Sequence, residues 1–324
     1  MDTRARDRAI ITGYSVYHAL IDSGEMPYAP LDLTTFAEQF AVSTEGCERI
    51  LYADPEGRGF SAGVIDTETG QGYVTFVAVR PENRRQGLGT RLLRELEEGL
   101  RGHLPVGKQT LSISFLNPSP LTWHVPGTAQ HDHPNAPGVL AESAAASFYQ
   151  AQGYRPLSTQ LSYYLDLEGF AIPEGLLLRE QSLAAEGITI ETYDPTAHVG
   201  MLELMVDLDS AVWMRDIVGE IKRGAEARPI LVPVQEGQVY GFAGPLDRQV
   251  SGRGYFAGIA VHSAMRRRGI ASMLFARLCQ GLHERGAEYM TLFTGEQNPA
   301  RRIYEQAGFR VVARWLNLRK EFET

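Results

Sequence analysis

The sequence has little cysteine, no long apolar run and fewer basic than acidic residues. Cys47 and Cys279 lie in different halves without metal-ligand spacing, which argues against a disulfide framework and against a zinc site. No stretch approaches the ~18 consecutive apolar residues that cross a bilayer, and the apolar run near the N-terminus is too short for a signal peptide. We therefore expect a cytoplasmic protein without a membrane partner.

The charge balance argues against a nucleic-acid partner. The 324 residues include 31 Lys and Arg against 39 Asp and Glu, which gives a formal net charge of −8. A protein that binds nucleic acid phosphates over a wide face usually carries the opposite balance. The acidic surplus instead favours a cationic small molecule as partner. The length allows two domains of ordinary size.

One stretch combines the signals of a strand, a basic turn and a helix. Val77 and Val79 alternate as strand residues do, and apolar residues from Leu88 to Leu100 recur at helical spacing. Between them lies Arg84-Arg85-Gln86-Gly87-Leu88-Gly89-Thr90, which we call the first phosphate turn. At a helix start the backbone N–H groups lack intrahelical partners and the helix dipole is positive. Because glycine lets a ligand approach this backbone, the turn predicts a site for a phosphate-bearing ligand.

The same pattern recurs with an offset of 182 positions, from Gly87 to Gly269. Arg266-Arg267-Arg268-Gly269-Ile270-Ala271 repeats the turn, and we call it the second phosphate turn. The apolar positions of the following helix keep this offset. A single glycine-rich turn is equally consistent with an ordinary helix start, so the repetition carries the inference. We infer an internal duplication.

The two turns resemble motif A of the GNAT superfamily, the Gcn5-related N-acetyltransferases, whose pattern is Arg/Gln-x-x-Gly-x-Gly/Ala. The resemblance implies acetyl-CoA as cofactor, with the turn N–H groups on the coenzyme A pyrophosphate. It also implies that the preceding strands pair with the pantetheine arm as an added β-strand would. The coenzyme-binding residues implied are Val77, Ala78, Val79, Arg84, Arg85, Gln86, Gly87, Leu88, Gly89 and Thr90, and then Ile259, Ala260, Val261, Arg266, Arg267, Arg268, Gly269, Ile270, Ala271 and Asn298.

The remaining elements follow the order that this resemblance implies. We predict an α/β (α+β) fold of two tandem GNAT domains, each a mixed, mostly antiparallel twisted sheet flanked by helices. The predicted domains are 1–168 and 188–324, joined by a crossover at 169–187. One departure is that no opening strand precedes the first helix. The predicted helices are 7–20, 34–40, 142–154 and 199–223, and the predicted strands are 49–53, 59–65, 73–79, 109–116, 155–167, 188–192, 229–235, 239–244, 254–261 and 288–294.

Residues 298–309 resemble GNAT motif B, in which Asn precedes a helix that bears Tyr and ends in Gly-Phe. Tyr304 lines up with Tyr149 at an offset of 155, so the first half carries 27 additional residues between its motifs. That surplus falls in an insert at about 117–140, rich in proline and histidine, which we interpret as a long loop over the acceptor pocket. Trp123 and His124 are its candidate substrate contacts. We predict no metal site, because His131 and His133 lack a third ligand in the sequence.

Acetyl transfer from a thioester to an amine needs a neutral amine, a polarised carbonyl, aligned reactants and protonation of the departing thiolate. In many family members the motif B tyrosine protonates the coenzyme sulfur, a role that falls by position on Tyr149 and Tyr304. The alternative for each is an aromatic ring packed in a helix interface. The strands before the turns contain no carboxylate, so no general base is identified. On the predicted helix at 199–223, three acidic residues are either contacts for a cationic acceptor or a solvated face: Glu203, Asp207 and Asp209.

The sequence thus predicts an acetyl-CoA-dependent N-acetyltransferase that acts on a small-molecule amine, as a monomer or homodimer. One alternative is a protein that holds acyl-CoA without turnover in one or both halves. Another, an aminoacyl-tRNA-dependent transferase of related double fold, is disfavoured by the acidic charge and by the coenzyme turns. The sequence does not decide which half is catalytic. Asn298 precedes Tyr304 where Ser143 precedes Tyr149, whereas the first half has the more typical phosphate turn and the insert.

Overall fold

The computed structural model describes residues 3–323. The first part of the chain forms helices α1 (Thr3–Asp22), α2 (Leu33–Phe40), α3 (Leu88–Arg101) and α4 (Ala144–Ala151) and strands β1 (Cys47–Ala53), β2 (Gly59–Asp66), β3 (Gln71–Val79), β4 (Thr110–Ile113), β5 (Trp123–His124), β6 (Asp132–His133), β7 (Val139–Leu140) and β8 (Arg155–Asp166). The second part forms helices α5 (Glu174–Ala185), α6 (Met201–Leu208), α7 (Ala211–Ile221), α8 (Ile270–Glu284) and α9 (Arg301–Gln306) and strands β9 (Thr189–Thr192), β10 (Leu231–Gln235), β11 (Gln238–Val239), β12 (Gly241–Gly244), β13 (Asp247–Arg248), β14 (Arg253–Tyr255), β15 (Gly258–Val261), β16 (Tyr289–Gly295) and β17 (Arg310–Glu321). Short 3-10 turns lie at Pro81–Asn83, Gly224–Glu226 and Ser263–Met265.

The chain divides into two compact units whose limits differ from the predicted domains. The first unit contains residues up to 161 and returns at 313, and the second contains 162–312. The prediction placed 313–324 in the second domain, whereas the structure groups this segment with the first unit, to whose sheet it contributes β17. The predicted crossover 169–187 is part of the second unit and contains α5. Residues 1, 2 and 324, at the predicted domain limits, lie outside the described residues.

The first unit is a sheet with an apolar cluster on each face. Its strand order is β1–β2–β3–β4–β17, and every neighbouring pair is antiparallel except β3 with β4. Alternate residues of β1 point to opposite faces. Leu51 therefore packs under α1 and α2, together with Phe36 and Phe60, whereas Ile50 packs towards α3 with Leu96. Burial of these side chains on both faces is the main stabilising contribution of this unit.

The second unit repeats this plan with its sheet in two parts. Strands β9, β10, β12 and β15 form an antiparallel sheet, and β13, β14 and β16 form another group in which β14 runs parallel to β16. Helix α8 lies over the sheet and buries Met273, Phe275 and Leu278 completely. The predicted α/β class, with mostly antiparallel sheets flanked by helices, is confirmed for both units.

The duplication is visible in the strand register. Gly59 pairs with Val79 as Gly241 pairs with Val261, and the neighbouring pairs keep the same offset of 182. The parallel pairing ends at matched points as well. Within the described chain, β3 pairs with β4 only up to Tyr73, and the parallel pairing of β14 with β16 likewise comprises two residue pairs. Beyond these points the chain leaves its parallel neighbour. The first phosphate turn then follows the end of β3, and the second follows the end of β15, the strand that comes directly after β14.

We expect the β17 segment to stabilise the first unit, because Leu318 is fully buried and pairs with Ile113 of β4. Leu318→Ala should lower the free energy of unfolding by about 2–5 kcal/mol, through lost transfer energy and a residual cavity. Urea unfolding measures this difference. The control is Leu157→Ala, since Leu157 is 57% exposed on β8, and its cost should stay within about 0.5 kcal/mol. Equal costs for the two variants would contradict the assignment.

Candidate active site

The two phosphate turns have the same backbone conformation. Arg85 has φ 62° and Arg267 has φ 63°, a left-handed conformation that non-glycine residues rarely adopt. Two residues later Gly87 (φ 80°) and Gly269 (φ 78°) are also left-handed, and each is the N-cap residue of its helix, α3 or α8. Because this backbone is repeated residue by residue, both turns orient the first N–H groups of a helix in the same way.

The first arginine of each turn closes the turn rather than pointing away from it. Arg84 Nε donates to the Val79 carbonyl oxygen at 3.0 Å, and Arg266 Nε donates to the Val261 carbonyl oxygen at 3.2 Å. The second arginine, Arg85 or Arg267, is exposed. The remaining predicted coenzyme residues lie at the two turns. At the first turn, Val77, Ala78 and Val79 end β3, and Gly87 is flanked by Gln86, Leu88, Gly89 and Thr90. At the second turn, Ile259, Ala260 and Val261 end β15, and Gly269 is flanked by Arg268, Ile270 and Ala271.

A cavity of about 330 Å³ lies against the first phosphate turn. It is lined by Gly87 and its neighbours and by two guanidinium groups, those of Arg58 and Arg91. Both arginines are held by the buried carboxylate of Asp54, which accepts from Arg58 Nε at 2.8 Å and from Arg91 Nη2 at 2.5 Å. The side-chain hydrogen bonds from Arg58, followed by those from the Arg58 backbone and from Arg91, lower the pKa of Asp54 to about 2. Motif reasoning missed these three residues, because Asp54 and Arg58 lie in a hairpin turn far from the turn in sequence.

The matched position in the second unit has a different character. The Arg58 carbonyl oxygen accepts from Arg80 N, and the Tyr240 carbonyl oxygen accepts from His262 N, both at 2.8 Å, so Tyr240 and His262 replace two arginines. Tyr240 and His262 line a cavity of about 490 Å³. The other lining residues are Glu203, Leu204, Gln235, Glu236 and Gln238. The first turn is thus flanked by cationic side chains, and the cavity beside the second turn carries two carboxylates.

Asp207 and Asp209, the other two acidic residues proposed as acceptor contacts, have structural roles. Asp207 accepts from Ser263 Oγ at 2.5 Å and from Ser263 N at 2.8 Å, and these bonds lower its pKa. Its carboxylate therefore caps the 3-10 turn that leads into the second phosphate turn. Asp209 is exposed, has φ 48° and ends α6 as its C-cap residue. Of the three acidic residues, Glu203 alone lines the cavity.

The two motif B tyrosines differ in exposure. Tyr149 on α4 is 6% exposed and packs beside Tyr154, and burial raises its pKa above the ordinary value, with smaller contributions from Tyr28 and Glu97. Tyr304 on α9 is half-buried against Phe275, and burial likewise raises its pKa, followed by the effect of Tyr163. Both phenols are therefore protonated at neutral pH, as an unperturbed tyrosine is.

Asn298 and Ser143, the matched residues of motif B, both satisfy backbone groups at a helix start. Asn298 Oδ1 accepts from Ala300 N at 3.0 Å, and its Nδ2 donates to Thr294 Oγ1 at 2.8 Å. Ser143 Oγ accepts from Ala146 N at 3.2 Å as the N-cap of α4. In both halves the residue thus orients the helix that carries the tyrosine.

The insert at about 117–140 is not the irregular loop predicted from its prolines. It contains the β5–β6 hairpin and the strand β7, which pairs with β17. Trp123 is 1% exposed and packs on Trp315 with ring centroids 5.0 Å apart. Its indole N–H has no hydrogen-bond partner among residues 3–323. His124 is partly exposed, and its Nδ1 lies 3.2 Å from the Gln130 carbonyl oxygen. The insert is therefore anchored by burial of Trp123, a side chain whose role the sequence could not reveal.

Both halves match models of known acetyltransferases. Residues 199–309 match the acetyltransferase (GNAT) family, and residues 38–156 match an acetyltransferase (GNAT) domain. The chain is a tandem member of the GNAT acetyltransferase family. It is therefore an acyltransferase, and the two matches fall on the two copies of the phosphate turn.

Solved structures share this fold over nearly the whole chain. A GCN5-related N-acetyltransferase from Sphaerobacter thermophilus has a TM-score of 0.61 at 20% identity, covering 96% of this chain and 92% of that chain. A tandem GNAT protein from the clavulanic acid biosynthesis pathway has a TM-score of 0.55 at 15% identity, covering 99% and 95%. A glucosamine N-acetyltransferase region in a fungal multi-domain β-N-acetylglucosaminidase has a TM-score of 0.63 at 16% identity, covering 94% of this chain and 36% of that protein. These likenesses show the tandem GNAT fold.

Two kinds of feature are absent from the described residues. Across 3–323, no helix combines the length and apolarity needed to cross a membrane. In the same range, no three His, Cys, Asp or Glu side chains are grouped so that they could hold a metal ion.

The GNAT protein should lose stability when Asp54 is neutralised. Asp54→Asn leaves Arg58 and Arg91 without their shared carboxylate and should cost about 1–2 kcal/mol at pH 7, discounted because both arginines are partly exposed. Since the folded pKa is about 2 against an ordinary value near ~3.9, this stabilisation is present above pH ~4 and is lost as the pH falls towards 2. Urea unfolding at pH 7 and near pH 3 measures the difference. The control is Glu56→Gln, which removes an exposed partner of Arg58 and should have little effect at either pH. A loss that does not depend on pH would contradict the charge argument.

Proposed function

We propose that the protein transfers the acetyl group of acetyl-CoA to the amine of a small cationic molecule, by direct attack in a ternary complex. The matched backbone of the two phosphate turns, each at the end of a strand that has left its parallel neighbour, carries this proposal. Gly87 supports the fit, because no atom lies within 4 Å of the position that a Cβ would take there. A diphosphate can therefore approach the N–H groups of α3 directly. The unpaired edge of β3 offers main-chain groups to an amide-bearing arm.

The coenzyme supplies the acetyl thioester, and the chain's own groups position it and move the proton. The ammonium group first gives one proton to water. The neutral amine nitrogen then forms the new bond to the acetyl carbon, the carbon–sulfur bond breaks, and the sulfur leaves as a thiolate. The nitrogen gives a second proton to water, which leaves the neutral amide. Backbone N–H groups at the diverging strands polarise the carbonyl, and Tyr304 or Tyr149 protonates the departing sulfur. Burial raises the pKa of both phenols, so each holds at neutral pH the proton that a general acid must donate.

The cavity beside the second phosphate turn supports a cationic acceptor. Glu203 and Glu236 both line it, and the chain as a whole carries a net charge of −8. Amide oxygens from Gln235 and Gln238 add acceptors for ammonium hydrogens. An acidic cavity concentrates cations by its local potential, and the acceptor amine is then deprotonated close to the site of attack.

The alternative function is binding of acyl-CoA by a half that does not turn over. Two observations favour it for the first unit. Tyr149 is 6% exposed, and motif B there has Ser143 in place of asparagine. In that case the first unit holds the coenzyme beside Arg58 and Arg91, and the second unit catalyses.

Acetylation of a panel of amines, followed by release of the coenzyme thiol, tests the proposed function, together with calorimetric titration of acetyl-CoA. We expect binding of acetyl-CoA and turnover with at least one cationic amine. Tyr304→Phe or Tyr149→Phe should lower kcat about 100-fold or more in the half that catalyses, because thiolate departure loses its acid. Tyr52→Phe, on β1, serves as the matched control and should retain full activity. Absence of acetyl-CoA binding would contradict the proposed function. Full activity in both motif B variants would contradict the general-acid role of Tyr149 and Tyr304.

Glu203→Gln tests the acceptor class. The variant should raise KM for a cationic amine about 2- to 5-fold and leave kcat unchanged, since an exposed carboxylate contributes a modest charge interaction. KM for a neutral analogue of the same amine should not change. Steady-state kinetics at low salt measure both values. Asp209→Asn is the matched control, because it removes one charge from α6 outside the cavity and asparagine tolerates the left-handed conformation. Equal effects of the two variants would point to overall charge instead of this cavity.

A further inference from the structure

The guanidinium group of Arg179 lies directly over the glycine of the second phosphate turn. A Cβ on residue 269 would overlap Arg179 Nε and would stand 3.2 Å from its Cδ and Cζ atoms. Arg179 therefore occupies the side of Gly269 that the absent side chain leaves open. The sequence pattern gave no sign of this contact, since residue 179 lies in the predicted crossover.

Helix α5 is fixed in the position that brings Arg179 to the turn. Leu176 and Leu183 of α5 pack in the apolar cluster that also contains Ile270 and Met273 of α8. Two ion pairs, one from α5 and one from its C-cap residue, hold the same helix. Glu180 accepts from Arg277 Nε and Nη2 at 2.7 and 2.6 Å, and Glu186 pairs with Arg268 of the turn itself.

No nearby carboxylate of the described residues neutralises Arg179, so its guanidinium group can bind an anion. The carboxylates of Glu180 in α5 and of Glu186, the C-cap residue of α5, are already paired with Arg277 and Arg268. Among residues 3–323, no hydrogen bond or ion pair engages Arg179, and it lies against Gly269, the N-cap residue at the positive end of the α8 dipole. An exposed cation held against other positive charge is stabilised when an anion bridges them. A guanidinium offers a planar pair of donors that matches phosphate oxygens.

We infer that Arg179 is a phosphate-binding residue of the second turn and takes the diphosphate of the coenzyme between its guanidinium and the N–H groups around Gly269. This inference rests on the proposed function, because it assigns a further ligand to the same coenzyme site. It also distinguishes the two halves. The first turn has Arg58 and Arg91 at its cavity and open space over Gly87, whereas the second turn receives its additional cation from α5.

Calorimetric titration of the full-length chain with coenzyme A tests the inference in a Gly87→Val background. A β-branched residue at φ 80° is strained and fills the first cavity, so this background isolates the second turn. We expect Arg179→Ala to weaken binding about 10- to 100-fold, as loss of charge-assisted hydrogen bonds does, and Arg179→Lys to restore part of the affinity. Dephospho-coenzyme A should show the same loss, since it keeps the diphosphate. The matched control is Gln181→Ala at an exposed α5 position, which should bind as the background does.

The remaining outcomes separate failure of this inference from failure of the proposed function. Tighter binding in Arg179→Ala would mean that the arginine obstructs the turn and would overturn the inference. A loss for coenzyme A without a loss for dephospho-coenzyme A would assign Arg179 to the other phosphate and overturn the diphosphate assignment. Binding in the wild-type chain but none in the Gly87→Val background, with melting temperature unchanged, would leave the proposed function intact and remove the second turn as a site. Absence of binding in the wild-type chain would instead remove the proposed function.

Discussion

The central constraint in each unit is that one strand must stop pairing with its parallel neighbour just before the chain turns into a helix. Pairing of β3 with β4 ends at Tyr73, and β3 continues to Val79 without that neighbour. Unpaired main-chain groups are costly when they are buried, so the open edge persists where a ligand or solvent can satisfy it. The left-handed residues at 85 and 87 then reverse the chain and expose the start of α3 at the end of that edge. Strand edge and helix start thus form one continuous row of donors and acceptors.

Conservation of this backbone in both halves contrasts with divergence of the surrounding side chains. Arg58, Arg80 and Arg91 are replaced at the matched positions by Tyr240, His262 and Met273. The backbone is constrained by the turn geometry, whereas the side chains around it tune charge. A duplicated scaffold can therefore present two differently charged cavities without any change in its turns.

Much of the fold was predictable from the sequence, because it depends on local periodicity and turn residues. The helices of the first unit, its β1–β2 hairpin and both phosphate turns follow from apolar spacing and from Gly87 and Gly269. The site was predictable only where a motif is contiguous. Asp54 and Arg179 reach their turns through the tertiary fold, from a hairpin and from another helix, so no spacing rule connects them to Gly87 or Gly269.

The differences between the predicted and observed elements share a physical cause. Proline content suggested a loop at 117–140, but burial of Trp123 against Trp315 outweighs local preference and orders the segment. Residues 313–324 follow the second motif B in sequence, so their pairing with β4 is a long-range contact that no local pattern encodes. Helix α5 was hidden by its flanking glycines and by an apolar pattern of only a few leucines.

The pairing of Leu318 with Ile113 also has a consequence for biogenesis. Domains usually fold as units during synthesis, with the N-terminal one first. Here the first unit lacks a strand of its sheet until residue 318 has been made, after the entire second unit. In the interval β4 presents an unsatisfied edge, which is the kind of surface that recruits chaperones or pairs with the wrong chain. Closing so long a loop also costs conformational entropy, which raises the free-energy barrier to folding. We therefore expect the pairing of β17 with β4 to be a late and slow step in folding of the first unit.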